Sequence, residues 1–198
     1  MTDQVLTPVQ TEEHQKHTLV ALVENKPGVL NRIASLFRRR NFNIDSLTVG
    51  RTHRPHVSRM TIVVDSTQAN PNLIAANLLK LVNVIEVRVI STQPHVSRDL
   101  ALIKVRTDSP ESRNHVTELC DRYPARIVDI GPEVAIVEIA SQEDIVENLI
   151  EELRPIGIVE MVRTGVVAMG RGIRIQDSEY EPPTKAKPTT NGYQRFSV

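Results

Sequence analysis

Short apolar segments alternate with amphipathic ones along most of this chain. Residues 18–23 (TLVALV) form a nearly unbroken run of Val, Leu and Ala, which is typical of a buried strand. Across residues 29–37 the apolar positions recur at helical spacing, and three arginines follow at once, which predicts an amphipathic helix with a positive C-terminal end. Residues 41–50 and 58–65 predict two further strands.

The pattern then continues with a helix and a strand. Asn70-Pro71 combines a capping residue with a proline at the first helical position, which predicts a helix start. Residues 84–90 alternate, with Glu86 and Arg88 facing out. The order strand, helix, strand, strand, helix, strand predicts an antiparallel four-stranded sheet with both helices on one face, the ferredoxin-like α+β arrangement.

The same order of elements begins again in the second half of the chain. The predicted elements are a strand at 100–105, a helix capped by Ser109, a hairpin of strands at 125–130 and 134–139, a helix capped by Ser141, and a strand at 158–169 broken at Gly165. Placing Leu19 on Ala101 gives a repeat spacing of about 82 residues, which indicates two copies of one architecture.

The chain therefore predicts two ferredoxin-like domains, at 17–92 and 99–174, joined by a linker at 93–98. Residues 1–16 and 175–198 are polar, and the second of these segments is rich in proline. Such compositions bury too little apolar surface to fold alone, so we expect a disordered arm and a disordered tail.

The turn at residues 25–30 (NKPGVL) is the main candidate site. A helix start leaves N–H groups unpaired, and Gly28 has no side chain to keep a ligand away from them, so a carboxylate fits there. The alternative is that Asn25 only caps the helix and Gly28 only relaxes the turn. In the second copy Pro110 is followed by Glu111, a carboxylate in place of the glycine, so we expect no second anion site.

The first strand carries apolar side chains on both sides. Leu19, Ala21 and Val23 form one set, and Val20 and Leu22 form the other. Helices cover only one face of a ferredoxin-like sheet, so the second set needs another cover. Dimerisation is the economical prediction.

Composition excludes several classes of function. Formal net charge is +0, and aromatic residues are 3% with no Trp, which argues against a surface that stacks bases, so we expect no nucleic-acid partner.

The single Cys120 lies on an apolar helix face, where packing is the expected role. No apolar run approaches the ~18 residues of a membrane helix. Residues 1–16 lack the features of a signal peptide, so we expect a soluble, cytoplasmic protein without a membrane partner.

The loop at residues 51–59 concentrates three arginines and two histidines. His53 and His56 could be metal ligands, but no Cys, Asp or Glu of this loop completes a coordination set, so we expect no metal. A solvated hairpin tip or a protein-contact surface are the alternatives. Elsewhere the Ser, His and carboxylate residues form no catalytic pattern, so we expect no catalytic residue.

The run ENKPGVLNRIASLFRRRNFNIDSLTVGRTHRPHVSRMTIVVD resembles the amino-terminal ACT domain of the small regulatory subunits of acetohydroxyacid synthase, also called acetolactate synthase. The resemblance covers about residues 17–172, and NIDSLTVG and SRMTI are its most specific parts. It implies a homodimer that binds valine or a related branched-chain amino acid at a seam between two ACT sheets. The implied effector-binding residues are Asn25, Pro27, Gly28, Val29 and Leu30, with Asn43 from the partner subunit and Ile44.

The resemblance also implies a large catalytic subunit as partner, carrying thiamine diphosphate, Mg²⁺ and FAD, so that no cofactor is expected on this chain. The implied contact residues for that partner are Arg51, Arg54, Ser58, Arg59 and Met60. Leu30, Ile44 and Val49 could line an apolar pocket for the effector, although such residues are most often core. The alternative function is a free-standing ACT-type sensor that acts on another enzyme or on a transcription factor.

Overall fold

The computed structural model of the chain describes residues 16–65 and 70–172. The predicted disordered segments therefore lie outside the described residues, except for Lys16 at the start of the first strand. Within the described ranges no helix combines the length and the apolar character needed to cross a membrane.

The first domain forms the ferredoxin-like arrangement that the sequence predicts. Its elements are β1 (Lys16–Glu24), α1 (Val29–Arg40), β2 (Ile44–Arg51), β3 (Val57–Asp65), α2 (Pro71–Leu78) and β4 (Val84–Val89). The strands pair antiparallel in the order β2-β3-β1-β4, so β2 and β4 are the two edges. The predicted cap of α2 is confirmed, because the Asn70 side chain accepts a hydrogen bond from the Asn72 N–H at 2.9 Å.

The second domain repeats the arrangement. Its elements are β5 (His95–Arg106), α3 (Pro110–Arg122), β6 (Ala125–Ile130), β7 (Val134–Ser141), α4 (Glu143–Leu153), β8 (Ile158–Arg163) and β9 (Val167–Gly170). The order β6-β7-β5-β8 corresponds to β2-β3-β1-β4. An irregularity of strand pairing also repeats. The register of the β1–β4 pair shifts between Leu22 and Val23, and that of the β5–β8 pair shifts between Lys104 and Val105, which matches the predicted repeat spacing.

Each domain has its own core between its sheet and its two helices. In the first, Leu19, Ile62 and Ile74 are fully buried beside Phe37. The Phe37 ring packs edge-on against the Phe42 ring, with 5.9 Å between the ring centroids. In the second, the buried set includes Ile103 and Leu149. Burying one such side chain contributes about 1.5–3 kcal/mol, so each core stabilises its own copy.

Two predicted boundaries are wrong. The expected linker at 93–98 is mostly strand, since β5 begins at His95 and pairs with β9 through Arg98. The expected cap at Ser141 is also wrong, because Ser141 is the last residue of β7. The capping position of α4 is Gln142, whose side chain makes no capping bond.

The last strand leaves its own domain and covers the first one. The predicted break at Gly165 is confirmed, with φ at 76°, and the chain there approaches β2, where the Thr48 hydroxyl donates to the Thr164 carbonyl at 3.0 Å. Beyond the break, a third buried cluster joins the two domains through Val20, Val63, Ile90, Val166 and Ala168.

This arrangement corrects one step of the sequence argument. Val20 is 3% exposed, because β9 and its approach from the same chain cover it. A second copy is therefore not needed to cover that part of the sheet, and the case for a dimer must rest on other features.

Candidate functional site

The turn between β1 and α1 has a defined geometry. Gly28 has φ 82° and ψ −8°, the conformation of the third residue of a type II turn, and Pro27 fits the second position. The Val29 N–H closes the turn on the Lys26 carbonyl at 3.4 Å. A Cβ on Gly28 would meet nothing within 4 Å, so the space beside the turn is open.

No side chain caps the N-terminus of α1. The Asn25 side chain donates to the Pro55 carbonyl at 3.3 Å and its N–H donates to the His56 carbonyl at 2.8 Å, so Asn25 joins the turn to the β2–β3 loop. The alternative that Asn25 only caps the helix is therefore wrong. In the described part of the chain, the N–H groups of Leu30 and Asn31 have no acceptor. Unpaired N–H groups at a helix start favour a bound anion.

A polar network that the sequence did not suggest supports the turn from behind. Glu24 is 7% exposed and pairs with Lys26 at 2.9 Å, and the Asn83 amide also donates to it. The Asn83 oxygen in turn accepts from the Arg32 guanidinium at 2.6 Å. The only sequence signal for this network was an acidic residue at the end of an apolar strand. Lys26 and Arg32 lie beside the turn in sequence, but Glu24 compensates the Lys26 charge, so Arg32 is the cation there without a carboxylate partner among the described residues.

The predicted effector residues fall into two groups within one chain. Asn25, Pro27, Gly28 and Leu30 are exposed together at the turn, whereas the Val29 side chain is 4% exposed and only its backbone could contact a ligand.

Asn43 and Ile44 follow the opposite end of α1. Asn43 is exposed, and Ile44 is half-buried against the first core. A helix of 12 residues is about 18 Å long. One chain therefore does not bring the two groups to one ligand.

The corresponding helix start of the second domain is closed. Ser109 accepts from the Ser112 N–H at 3.1 Å, and Ser112 accepts from the Ser109 N–H at 3.2 Å, which forms a capping box. Glu111 adds a carboxylate in the first turn of α3. The N–H groups that an anion would contact are therefore partly occupied, next to a like charge.

The structure corrects part of the predicted partner-contact set. Met60 is 2% exposed and belongs to the first core, and Ser58 is 8% exposed, so neither offers a contact surface. The half-buried Arg59 donates to the Ala168 carbonyl of β9. Arg51 is exposed and Arg54 is half-buried, so these two are the members of the set that remain accessible at the loop.

Neither a metal site nor an activated nucleophile is evident in the described part of the chain. Residues 16–65 and 70–172 contain no group of three or more His, Cys, Asp or Glu side chains that could hold a metal. Cys120 packs against the second core, and burial, with a further contribution from Asp121, raises the pKa of its thiol. A raised pKa favours the unreactive thiol over the thiolate.

Two family models match the two domains in turn. One described as an AHAS small subunit-like ACT domain matches residues 19–86, and one described as the small subunit of acetolactate synthase matches residues 98–172. Each match therefore falls almost wholly within one copy of the fold.

Curated relatives and a solved structure match both copies together. A probable acetolactate synthase small subunit of Archaeoglobus fulgidus is 49% identical over 157 residues, 79% of this chain and 98% of the relative. The acetolactate synthase small subunit of Aquifex aeolicus is 39% identical over 167 residues, 84% of this chain and 87% of the relative. The crystal structure of the Thermotoga maritima small subunit superposes with a TM-score of 0.74 at 39% identity, over 80% of this chain and 99% of that one.

Proposed function

This chain belongs to the family of acetolactate synthase small subunits, and from that membership we propose that it activates a catalytic large subunit and confers feedback inhibition by a branched-chain amino acid, valine being the expected effector. Its pathway is then the biosynthesis of valine, isoleucine and leucine, in the cytoplasm. In this proposal the chain itself catalyses nothing, and thiamine diphosphate, Mg²⁺ and FAD belong to the large subunit.

The open N-terminus of α1 is the observation that supports the effector site. An amino-acid carboxylate would accept hydrogen bonds from the Leu30 and Asn31 N–H groups, with Arg32 nearby as a positive charge. Each hydrogen bond to a charged group contributes about 1.5–3 kcal/mol. The vacant space beside Gly28 leaves room for that approach.

A second copy of the chain would complete this site. In a two-fold dimer with antiparallel α1 helices, Asn43 of one copy would lie near the turn of the other. Within one copy the length of α1 keeps Asn43 away from the turn. Leu30 and Val49 are each 46% exposed, and β2 is an edge strand. These are the features expected of a surface that pairs with its own copy.

The β2–β3 loop remains our proposal for one contact with the large subunit. Arg51, His53 and His56 are exposed on it, and it is tied to the effector turn through the two hydrogen bonds of Asn25. A change at the turn would therefore reach the loop directly.

The alternative of a free-standing sensor shares the turn but gives no role to the second domain. The match of residues 98–172 to the small-subunit family favours the regulatory-subunit proposal. Co-purification with an acetolactate synthase large subunit distinguishes the two, since a free sensor would not be retained.

Acetolactate formation tests the main proposal. The large subunit is assayed alone, with this chain, and with this chain plus valine, leucine or isoleucine. We expect the chain to raise the rate and valine to lower it. A rate that the chain leaves unchanged contradicts activation, and a rate that none of the three amino acids lowers contradicts the effector site. Calorimetric titration of the three amino acids ranks them.

Sedimentation tests the dimer separately. We expect a dimer at micromolar concentration in the presence of valine. A stable monomer under those conditions would exclude a site built from two chains.

A further inference from the structure

A cavity of about 710 Å³ lies on the face of the first sheet that the helices do not cover. Its floor comes from β1, β3 and β4, and one wall is the β2–β3 loop. The opposite wall is formed by residues 92–94, before β5, and residues 169–172, at and after the end of β9. Sites for small molecules typically have volumes of about 300–1,000 Å³. None of residues 25–30 lines it, so the cavity is separate from the effector turn.

Positive charge dominates the lining. Five arginines line the cavity: Arg51, Arg54, Arg59, Arg88 and Arg171. Glu86 is the one carboxylate among the lining residues, and it pairs with Arg88. In the described part of the chain the other four arginines have no carboxylate partner, and Arg59 and Arg171 donate to the carbonyls of Ala168 and His95 instead.

Part of this charge is removed from water. The Arg54 Nε is buried without a hydrogen-bond partner among the described residues. Arg59 is half-buried, and burial, followed by the nearby positive charge of Arg88, lowers its pKa against the smaller opposing effect of Glu86. Gathering like charges away from solvent costs free energy unless an opposite charge enters. The cavity thus has five guanidinium groups and one carboxylate among its described lining residues, an excess of positive charge.

The floor adds a second chemical preference. Val20 and Ile90 lie at the base of the cavity but are each 3% exposed, so the accessible apolar surface comes from the half-buried Leu22 and from Met169 at one side. Guanidinium groups match phosphate oxygens through paired hydrogen bonds, and the apolar surface of Leu22 and Met169 suits the organic part of a ligand. Several converging arginines favour a ligand with more than one negative charge.

We propose that this cavity binds a small organic phosphate with at least two negative charges, its phosphate groups on the arginines and its organic part against Leu22 and Met169. Inorganic pyrophosphate and ATP are suitable probes, because the first tests the arginines alone and the second adds an organic part.

The test is calorimetric titration of the full chain with each probe at constant ionic strength, since screening by salt would otherwise mimic competition. We expect both probes to bind, ATP more tightly. Replacing Arg51 and Arg171 together by Gln removes two exposed rim charges and should weaken both probes by about ten-fold or more for each arginine lost. Arg51→Lys keeps the charge without the paired donors, so we expect an intermediate loss.

Arg98→Gln is the matched control. Arg98 is an exposed arginine on β5 that has no carboxylate partner among the described residues and does not line the cavity, so its loss should leave both affinities unchanged. Thermal midpoints without ligand confirm that each variant is folded. Absence of binding by both probes would overturn the proposal, as would equal weakening by Arg98→Gln and by the Arg51 and Arg171 changes.

Discussion

The two domains share strand order, helix placement and a register irregularity, yet their first helices begin in opposite ways. In the first domain α1 starts after Gly28 in a left-handed conformation, with no side-chain cap. In the second, Ser109 and Ser112 cap α3 reciprocally and Glu111 occupies its first turn. One fold therefore presents an open helix start in one copy and a closed one in the other.

The two helix starts differ in whether side chains of the domain satisfy the first N–H groups. A side-chain cap typically contributes about 1 kcal/mol of stability by satisfying the helix N–H groups internally. The first domain lacks that contribution, and its unpaired N–H groups are the ones that we propose bind the effector carboxylate. The second domain uses the corresponding groups for its own stability, and it adds a buried ion pair in which Asp99, 1% exposed, binds Arg163 at 2.5 Å.

Removing the buried carboxylate should give the largest effect on stability. Asp99→Ala leaves Arg163 with only its exposed partner Glu147, at 2.8 Å. Breaking a buried pair costs about 3–5 kcal/mol, and the remaining Glu147 contact places our expectation near 3 kcal/mol. Urea unfolding measures the loss. Asp129→Ala, an exposed carboxylate without an ion pair among the described residues, should change stability by less than about 0.5 kcal/mol.

Closing the open helix start should abolish the effector response. Gly28→Asp places a carboxylate where we propose that the effector carboxylate binds, so affinity for valine should fall about ten-fold to over a hundred-fold. Activation of the large subunit should persist, because the substitution leaves Asn25 and its two hydrogen bonds to the proposed contact loop in place. Assays of acetolactate formation with and without valine measure both properties.

Gly28→Asn separates charge from bulk, because Asn has the same shape and tolerates a positive φ. We expect it to retain more valine inhibition than Asp. Equal, normal inhibition in both variants would reject the site.

Opening the closed helix start should affect stability alone. Ser109→Ala removes the capping box of α3 and should cost about 0.5–2 kcal/mol, with valine inhibition unchanged. Ser141→Ala is the matched control, since Ser141 ends β7 and does not cap α4. Equal losses from the two serines would show that the capping bonds of α3 do not matter.

The smallest expected effect is a pH dependence at the end of α3. The Tyr123 hydroxyl donates to Glu152 at 2.6 Å, and this hydrogen bond is the main cause that raises the Tyr123 pKa. A group whose pKa is raised by folding stabilises the folded state. This stabilisation is complete below the unfolded-state pKa, about 10 for tyrosine, and is lost as the pH rises through the folded-state pKa. Ultraviolet titration should show earlier ionisation in Glu152→Gln than in the wild type. Identical curves would contradict the coupling.

Much of the fold could be predicted because the local signals agree with it. The apolar periods, the Asn70-Pro71 and Ser109-Pro110 helix starts and the repeat spacing each indicated the element found there. At the site, the glycine after Pro27 predicted an open helix start, and the structure has one.

The remaining features depend on contacts between distant residues. Alternating Val166 and Ala168 predict a strand but cannot indicate which sheet it covers. Ser141 has the chemistry of a cap, but β7 extends two residues beyond its predicted end at 139 and includes Ser141. The polar support of the turn joins Glu24 to Asn83, which lie far apart in sequence, so neither residue alone suggested it.

The crossing of β9 onto the first domain has a consequence for synthesis of the chain. The first sheet is complete at Val89, whereas β9 begins at Val167, roughly 80 residues later, which is about 4–16 s of translation. During that interval Val20, Val63 and Ile90 lack their cover, so the nascent first domain exposes an apolar patch to chaperones and to other nascent chains. The final strand thus covers this patch only at the end of synthesis. A chain that terminated before β9 would contain a folded first domain with an exposed apolar surface prone to aggregation.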